Sequence, residues 1–290
     1  MINKKIGLLQ IFSLTFFLTI SNFILFFNNI IKISNSDTII SLVIGIIIDI
    51  IIFTGILKVR KSIKIHNKVL NIFLSIILGG YFLYLLINCT NFIKDTFLAS
   101  GNFYSILVLL VLMSLIVSNK SYKEITSLSL ILLFIFIPLF LFNIIGSSFS
   151  LDLSYLKPPF INSALTIIKG SLLFVIYTIL PLLLLLFIPY QEIDQRKKQD
   201  KYLYLALISG LLVIIISYLI LYFSSSINII TSYKYPFMLI INTLASFISF
   251  GRLSYLISFY LLFSLVITLS YIISIIKQLI GYKNNLKSPN

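Results

Sequence analysis

Apolar runs of about 20 residues, separated by short polar loops, recur along the whole sequence. An α-helix needs about 20 apolar residues to cross the hydrocarbon core of a bilayer, and continuous runs without alternation of period two indicate helices rather than barrel strands. Only 10% of the residues are charged and the mean hydropathy is +1.10, whereas a soluble domain carries about 25% charged residues. The sequence therefore predicts an all-α fold, a polytopic bundle of membrane helices that forms one integral membrane domain over residues 1–290.

Eight membrane spans are predicted from these runs. They cover residues 7–27, 38–57, 69–93, 103–118, 126–145, 165–189, 202–224 and 253–275. The fourth span is short, and we expect it to draw on residues 96–102 as well. The first span is not expected to be a cleaved signal peptide, because no small-residue cleavage site follows it and further apolar spans do.

Basic residues are distributed unevenly between alternate loops. With eight spans, one side of the membrane receives 16 of the 22 lysines and arginines, namely Lys4, Lys5, Lys58, Arg60, Lys61, Lys64, Lys68, Lys120, Lys123, Arg196, Lys197, Lys198, Lys201, Lys277, Lys283 and Lys287. Because Lys and Arg are concentrated in cytoplasmic loops, this side is predicted to be cytoplasmic, with both termini there. The net charge of +14 is then explained by topology and by contact with anionic headgroups of the lipid bilayer, and no nucleic-acid partner is predicted.

The segment 235–251 is apolar but, with about 15 residues between Pro236 and Gly251, too short to span the membrane comfortably. Its apolar residues recur at helical spacing. It is predicted to be an amphipathic helix on the outer surface or a re-entrant piece. Counting it as a span would move the C-terminal lysines outside and weaken the charge bias.

The chain lacks the clustered side chains on which catalysis usually depends. It contains one histidine, His66, one cysteine, Cys89, and eight acidic residues. No HExxH, GxSxG or phosphate-binding loop motif is present. We therefore expect no enzyme activity, no metal site and no cofactor, and a single cysteine permits no intramolecular disulfide.

Asp49 lies near the middle of the second predicted span, where an ionised carboxylate costs about 2.5–3.5 kcal/mol on insertion scales. Ser41, Gly45 and Asp49 follow one another at four-residue steps and share one helix face. This face is predicted to point into the bundle, because small residues allow close packing and lipid offers Asp49 no partner. Two interpretations remain open: an ion, proton or ligand contact, or a protonated or hydrogen-bonded residue that only ties helices together.

Polar residues interrupt the first and sixth spans. They are Thr15, Thr19, Ser21 and Asn22 in the first span, and Tyr177 and Thr178, just before Pro181, in the sixth. A proline removes a backbone hydrogen bond and frees a carbonyl. In transporters, such discontinuities in the corresponding helices of two repeats often form the substrate site. An ordinary kink at the proline and helix packing by the hydroxyl groups are the alternatives.

Four stretches, in order, carry a resemblance to a known family. They are GLLQIFSLTFFLTISNFILF in the first span, SDTIISLVIGIII in the second, SLDLSYLKPPFINSALTIIKGSLLFVIYTILPLLLLLFIP through the sixth, and YPFMLIINTLASFISFGRLSYL up to the eighth. In these stretches the chain resembles the B subunit of spore germination receptors, the endospore germination permeases of the amino acid–polyamine–organocation transporter superfamily. It departs from the family in showing eight spans instead of ten, Ser254 instead of an acidic residue, and Gly101–Asn102 instead of Thr-Pro.

The resemblance implies a truncated five-plus-five inverted-repeat transporter-like fold in the spore inner membrane. It also implies a small-molecule germinant, such as an amino acid, that binds between spans one and six with help from spans three and eight. The partners implied are a germination-receptor A-type membrane subunit and a C-type lipoprotein. Carried onto this sequence, the ligand-binding candidates are Thr19, Ser21, Asn22, Tyr84, Tyr177 and Thr178. If spans one and six are broken face to face, their free amides and carbonyls can bind an amino acid.

Three functions remain open at this point. The leading one is a germinant receptor subunit that recognises a nutrient and signals to its partners. The second is a secondary amino-acid transporter coupled to protons or cations through Asp49. The third is a non-transporting membrane scaffold subunit. Ligand binding separates the first two from the third, and accumulation of the ligand against a gradient separates the second from the first.

Overall fold

The computed structural model describes residues 5–62, 68–148, 151–155, 160–188, 193–194, 198–239 and 251–281, with the backbone alone for 61–62, 68, 153 and 251–261. This part of the chain is all-α, as predicted, and contains nine α-helices. They are α1 (Leu8–Ser34), α2 (Thr38–Ser62), α3 (Lys68–Thr96), α4 (Phe103–Ser118), α5 (Tyr122–Ser148), α6 (Ala164–Leu182), α7 (Gln199–Ser224), α8 (Ile227–Ser232) and α9 (Gly251–Leu279). Short 3-10 turns cover Asn35–Asp37, Leu153–Tyr155 and Leu183–Phe187.

Within the described residues, six apolar helical stretches are long enough to cross a membrane. The first of them, Leu8–Arg60, is 53 residues long because α1, the 3-10 turn and α2 follow one another without a gap. One crossing needs about 20 residues, so this stretch suffices for two. Helix α4 has 16 residues and is shorter than the other apolar helices. The chain is therefore a multi-pass helical membrane protein by the length and composition of its helices.

Helix α4 has the same bounds as the fourth predicted span, and residues 96–102 are not part of this helix. Helix α4 begins at Phe103 because Asn102 caps it: the backbone of Asn102 is extended and its side-chain oxygen accepts a hydrogen bond from the Tyr104 N–H at 2.9 Å. Such a cap satisfies one of the amide groups that a helix leaves open at its start.

Helix α1 continues past residue 27, the predicted end of the first span, to Ser34. Asn28 and Asn29 look like a polar boundary in the sequence, yet Asn28 is buried and Asn29 bonds to a tyrosine of α6. The helix ends at Asn35, which has a φ of 49°. Asparagine is among the residues that most readily adopt positive φ.

Helix α1 lies at the centre of the bundle. It packs against α5, α6 and α7, while α2 packs against α6, and α9 packs against α3, α4 and α5. Small residues permit close approach at two of these contacts, because a Cβ on Gly170 of α6 would collide with Ser34 Oγ and a Cβ on Gly210 of α7 would lie 2.9 Å from Thr19 Cβ. Interfaces of small residues are typical of helix pairs in membranes.

The ends of the helices contact one another in two groups, and each group contains only loops that the charge rule assigned to one side. At the predicted inner end, the Asp194 N–H donates to Ile6 O at 2.9 Å, Tyr122 OH donates to Gln278 Oε1 at 2.6 Å, and Lys277 Nζ donates to Asn119 Oδ1 at 2.6 Å. At the predicted outer end, the Asn162 N–H donates to Asp37 Oδ2 at 2.7 Å, Lys234 Nζ to Asp95 Oδ2 at 2.6 Å, and the Asp152 N–H to Phe223 O at 2.8 Å. The helices therefore alternate in direction as the sequence predicted.

This alternation also bears on the segment 235–251, of which residues 240–250 lie outside the described part. Lys234 lies at the end of the bundle with Asp95, and Lys277 lies at the opposite end with Asn119. Helix α9 has 29 residues, about 43 Å at 1.5 Å per residue, which is enough for one crossing. One crossing by α9 accounts for the change of side between Lys234 and Lys277.

Candidate functional site

A backbone carbonyl in α6 is left without its helical partner by Pro181. In a continuous helix the carbonyl of Tyr177 accepts from the N–H four residues later, and proline has no N–H. The side chain of Asn22 in α1 takes this place, since its Nδ2 donates to Tyr177 O at 2.9 Å and to Tyr81 OH of α3 at 3.1 Å. Asn22 is 2% exposed. The structure thus joins the polar patch of the first span to the proline of the sixth.

Three aromatic rings stack beside this amide. Phe26 of α1 lies between Tyr177 of α6 and Tyr84 of α3, with ring centroids 4.8 Å and 5.2 Å away and interplanar angles of 18° and 12°. Asn29 Nδ2 donates to Tyr177 OH at 3.0 Å. Tyr177 therefore contacts three successive turns of α1 through its carbonyl, its ring and its hydroxyl.

The cluster is buried at one end and open at the other. Asn22 has almost no exposed surface, whereas Asn29 and Tyr84 are exposed, the latter to 47%. Offset stacking of aromatic rings contributes about 0.5–1.5 kcal/mol beyond burial. We refer to Asn22, Phe26, Asn29, Tyr81, Tyr84 and Tyr177 as the aromatic–amide cluster.

Asp49 lies on the other side of α6. Thr178 Oγ1 donates to Asp49 Oδ2 at 2.6 Å, and Asp49 Oδ1 has no hydrogen-bond partner, although the residue has no exposed surface. The predicted stripe does face into the bundle: Ser41 Oγ donates to Ile167 O at 3.1 Å, and Gly45 lies against the Phe174 ring. The whole stripe of α2 therefore packs on α6.

The six predicted ligand-binding residues fall into two groups. Asn22, Tyr84 and Tyr177 belong to the aromatic–amide cluster. The other three lie elsewhere: Thr19 packs against Gly210 of α7, Thr178 bonds to Asp49, and Ser21 Oγ donates to the Leu18 carbonyl of its own helix at 3.1 Å. Thr15, which also interrupts the first span, bonds in the same way to the Ile11 carbonyl at 2.8 Å.

The sequence prediction missed three members of the cluster, although their spacing carries the signal. Phe26 and Asn29 follow Asn22 at four and seven residues, and Tyr81 precedes Tyr84 by three residues. These intervals place each set on one face of its helix.

The condition that both backbones are broken face to face is not met in the first span. Helix α1 is continuous through residues 19–22. Helix α6 changes at Leu182, one residue after Pro181, into the 3-10 turn Leu183–Phe187. The polar groups at this place are therefore one freed carbonyl and a side-chain amide, rather than two opened helices.

A second buried acid, Asp37, was not singled out from the sequence. It follows α1, and its Oδ1 accepts from the Phe160 N–H at 2.7 Å while its Oδ2 accepts from the N–H and Nδ2 of Asn162 at 2.7 Å and 2.9 Å. Burial acts to raise the pKa of Asp37, but the hydrogen bonds from Asn162 and Phe160 outweigh it and hold this pKa below its usual value. Phe160 has a φ of 62°, so Asp37 holds a strained loop at the start of α6.

Among the described residues no group of three or more His, Cys, Asp or Glu side chains comes together. His66 lies outside these residues, and Cys89 is buried in α3.

No family model matches the sequence. A comparison with curated proteins finds no match either. The class that the fold and the apolar helices define is a polytopic α-helical membrane protein.

Proposed function

We propose that this chain is a receptor subunit in a cell membrane, and that it recognises a small nutrient such as an amino acid. The proposal follows the resemblance to the B subunits of spore germination receptors. The observation that carries it is the bond from Asn22 Nδ2 to the Tyr177 carbonyl, beside the partly exposed stack of Tyr84, Phe26 and Tyr177. Ligand sites in proteins combine aromatic side chains with a few placed polar groups, and this cluster combines a stack of aromatic rings with side-chain amides.

The grouping of the helices supports this proposal. Helices α1, α2, α6 and α7 pack together, and α9 packs with α3, α4 and α5. Helices α1 and α6 are antiparallel neighbours, since Ser34 of α1 lies beside Gly170 near the start of α6 and Asn22 lies beside Tyr177 near its end. Antiparallel first and sixth helices are what an inverted repeat of five spans requires, and the eight-span, truncated transporter-like architecture belongs to the proposal.

The proposed topology places both termini in the cytoplasm and the exposed end of the aromatic–amide cluster toward the outside. Asn29 and the end of α1 lie on the side of the loops with few basic residues. A nutrient from outside then meets Asn29 first and Asn22 last. The proposed partners are an A-type membrane subunit and a C-type lipoprotein, and the chain acts in signalling rather than in catalysis.

The test is ligand-induced stabilisation of the purified protein in lipid nanodiscs, with each of the common amino acids as a probe. Cys89 is the only cysteine and is 1% exposed, so its reaction with a fluorogenic maleimide on heating reports unfolding. A ligand at 100 times its Kd stabilises the folded state by about 2.7 kcal/mol. We expect at least one neutral amino acid to raise the unfolding temperature.

Two tyrosine variants test whether the stabilising amino acid binds at the aromatic–amide cluster. Tyr84→Leu removes one ring of the stack and is expected to raise the Kd at least tenfold, about 1.4 kcal/mol. Tyr104→Leu is the matched control, because Tyr104 is a 74% exposed tyrosine of α4. Failure of every amino acid to stabilise the protein, or an equal loss of affinity in both variants, contradicts the proposal.

A secondary transporter coupled to protons or cations is the second candidate, and one observation favours it. Asp49 is a fully buried acid in the middle of α2 with an oxygen that has no partner, and ionisable groups inside membranes often belong to proton or ion pathways. Uptake of the stabilising amino acid into proteoliposomes against its gradient identifies a transporter. Binding without uptake identifies a receptor.

A further inference from the structure

The two buried acids of the described bundle have opposite surroundings. Asp37 accepts three hydrogen bonds, one from Phe160 and two from Asn162, and both of its oxygens are used. Asp49 accepts one hydrogen bond, from Thr178, and its Oδ1 has none. A carboxylate that accepts two or three hydrogen bonds is stabilised in its charged form. The surroundings of Asp37 therefore stabilise a charged carboxylate, whereas those of Asp49 do not.

The neighbours of Asp49 supply no compensating charge. No charged group acts on its carboxyl, and the residue takes part in no ion pair in the described part of the chain. Helix α6 carries Lys169 and Tyr177, and α7 carries Asp200, Lys201, Tyr202, Tyr204, Tyr218 and Tyr222, and none of them acts on the Asp49 carboxyl. Among them, the Tyr204 hydroxyl donates to Thr54, five residues further along α2, at 2.8 Å.

The site also offers too few oxygens for a metal cation. Two side-chain groups meet here, the carboxyl of Asp49 and the hydroxyl of Thr178, and that hydroxyl also lies 3.1 Å from the carbonyls of Phe174 and Val175. Toward Gly45 the space is filled by the Phe174 ring. Hard cations in proteins take about six to eight oxygen ligands, whereas a proton needs one oxygen.

We propose that Asp49 is a proton-binding site. Its Oδ1 takes a proton from water to form an O–H bond while Oδ2 keeps the hydrogen bond from Thr178, and the proton returns to water when the carboxyl ionises. Thr178 directly follows Tyr177, so the protonation of Asp49 acts on the same turn of α6 that forms the aromatic–amide cluster. This inference deepens the second candidate function, which left open whether Asp49 couples to protons or to cations, and it holds for a receptor as well as for a transporter.

The test is infrared difference spectroscopy of the protein in nanodiscs, between high and low pH, in the absence of any amino acid. A protonated carboxylic acid has a carbonyl band that the carboxylate lacks, and only eight acidic residues contribute to this region. We expect a band of a buried acid that is lost in Asp49→Asn and unchanged in Asp152→Asn, since Asp152 lies in an exposed loop. Thr178→Val is expected to shift the band and Thr178→Ser to keep it, because only serine retains the hydroxyl.

Three outcomes overturn the inference. The first is a spectrum of Asp49→Asn that matches that of the unmodified protein. The second is a Thr178→Val spectrum without any shift. The third is loss of the band when sodium replaces potassium at constant pH, which identifies a metal-cation site instead. If Asp49→Asn fails to insert, Asp49→Glu replaces it, and the band must then move to a new frequency. Because no ligand is present, failure of this test and failure of the ligand-binding test are separate results.

Discussion

The hydrogen bond between Asn22 and the Tyr177 carbonyl gives a prediction that depends on Pro181. Asn22→Leu removes the amide that bonds to this carbonyl at 2.9 Å. No other donor in α6 then bonds to this carbonyl, because the proline supplies no N–H. A buried polar group without a partner costs about 1–3 kcal/mol, which is more than the average of about 0.6 kcal/mol for side-chain hydrogen bonds in a membrane bundle.

Asn22→Leu is expected to cost less free energy of unfolding when residue 181 supplies an N–H. In Pro181→Ala the alanine N–H bonds to the Tyr177 carbonyl, and the loss of the Asn22 amide then costs only the average bond, about 0.6 kcal/mol. The coupling between the two substitutions is therefore about 0.4–2.4 kcal/mol. At about 2–4 °C per kcal/mol for a chain of this size, Asn22→Leu lowers the unfolding temperature by about 1–10 °C more in the presence of Pro181 than in its absence.

The assay is thermal unfolding of the four proteins of this double-mutant cycle, followed through the thiol of Cys89, which is buried. Asn88→Leu is the control. Asn88 Nδ2 donates to the Tyr84 carbonyl at 2.7 Å, and this carbonyl keeps its helical N–H. We expect the effect of Asn88→Leu to be independent of residue 181. An Asn22→Leu effect of equal size with proline and with alanine at position 181 would refute the reasoning.

Three further predictions follow from particular contacts. Gly170→Ala is expected to destabilise the protein by about 1–3 kcal/mol because its Cβ meets a serine hydroxyl of α1, while Gly55→Ala, with nothing within 4 Å, is expected to be neutral in the same thermal assay. The lowered pKa of Asp37 means that its stabilisation is complete above the ordinary value of 3.8 and is lost as the pH falls through the folded-state pKa. Between about pH 5 and pH 3 the unmodified protein is therefore expected to lose more stability than Asp37→Ala does, and parallel losses count against this. In a cysteine-free background, a cysteine at Ser154 is expected to react with an impermeant thiol reagent in intact cells, and one at Asp194 is expected not to react. Labelling at Asp194 would contradict the predicted orientation of the chain in the membrane.

The helices of this fold are predictable because their driving force is local. Each apolar run meets the length requirement of the bilayer by itself, and Phe103–Ser118 was predicted to the residue. The end of α1 was missed because polar residues at 28 and 29 look like a boundary when the sequence stands alone. In the structure the second of them bonds to the hydroxyl of Tyr177, a partner that is 148 residues away.

The candidate site was predictable only in part, for a geometric reason. Pro181 predicts a carbonyl without its helical N–H partner, and the polar patch of the first span contains Asn22, which bonds to that carbonyl. Consecutive residues of a helix point about 100° apart, however, so Tyr177 and Thr178 necessarily face different neighbours. Which of them meets α1 and which meets α2 depends on the rotation of α6 in the bundle, and the sequence does not contain that information.

Protection of a single cysteine tests the central claim, a small-nutrient site at the aromatic–amide cluster, most directly. Tyr84→Cys in a Cys89→Ser background places a thiol at the exposed end of the cluster, and Tyr104→Cys places one on the surface of α4. The amino acid that stabilises the protein is expected to slow the reaction of the first thiol with a maleimide at least tenfold, in a concentration-dependent manner, and to leave the second unchanged. Equal reaction rates at Tyr84→Cys with and without every amino acid tested would contradict the account.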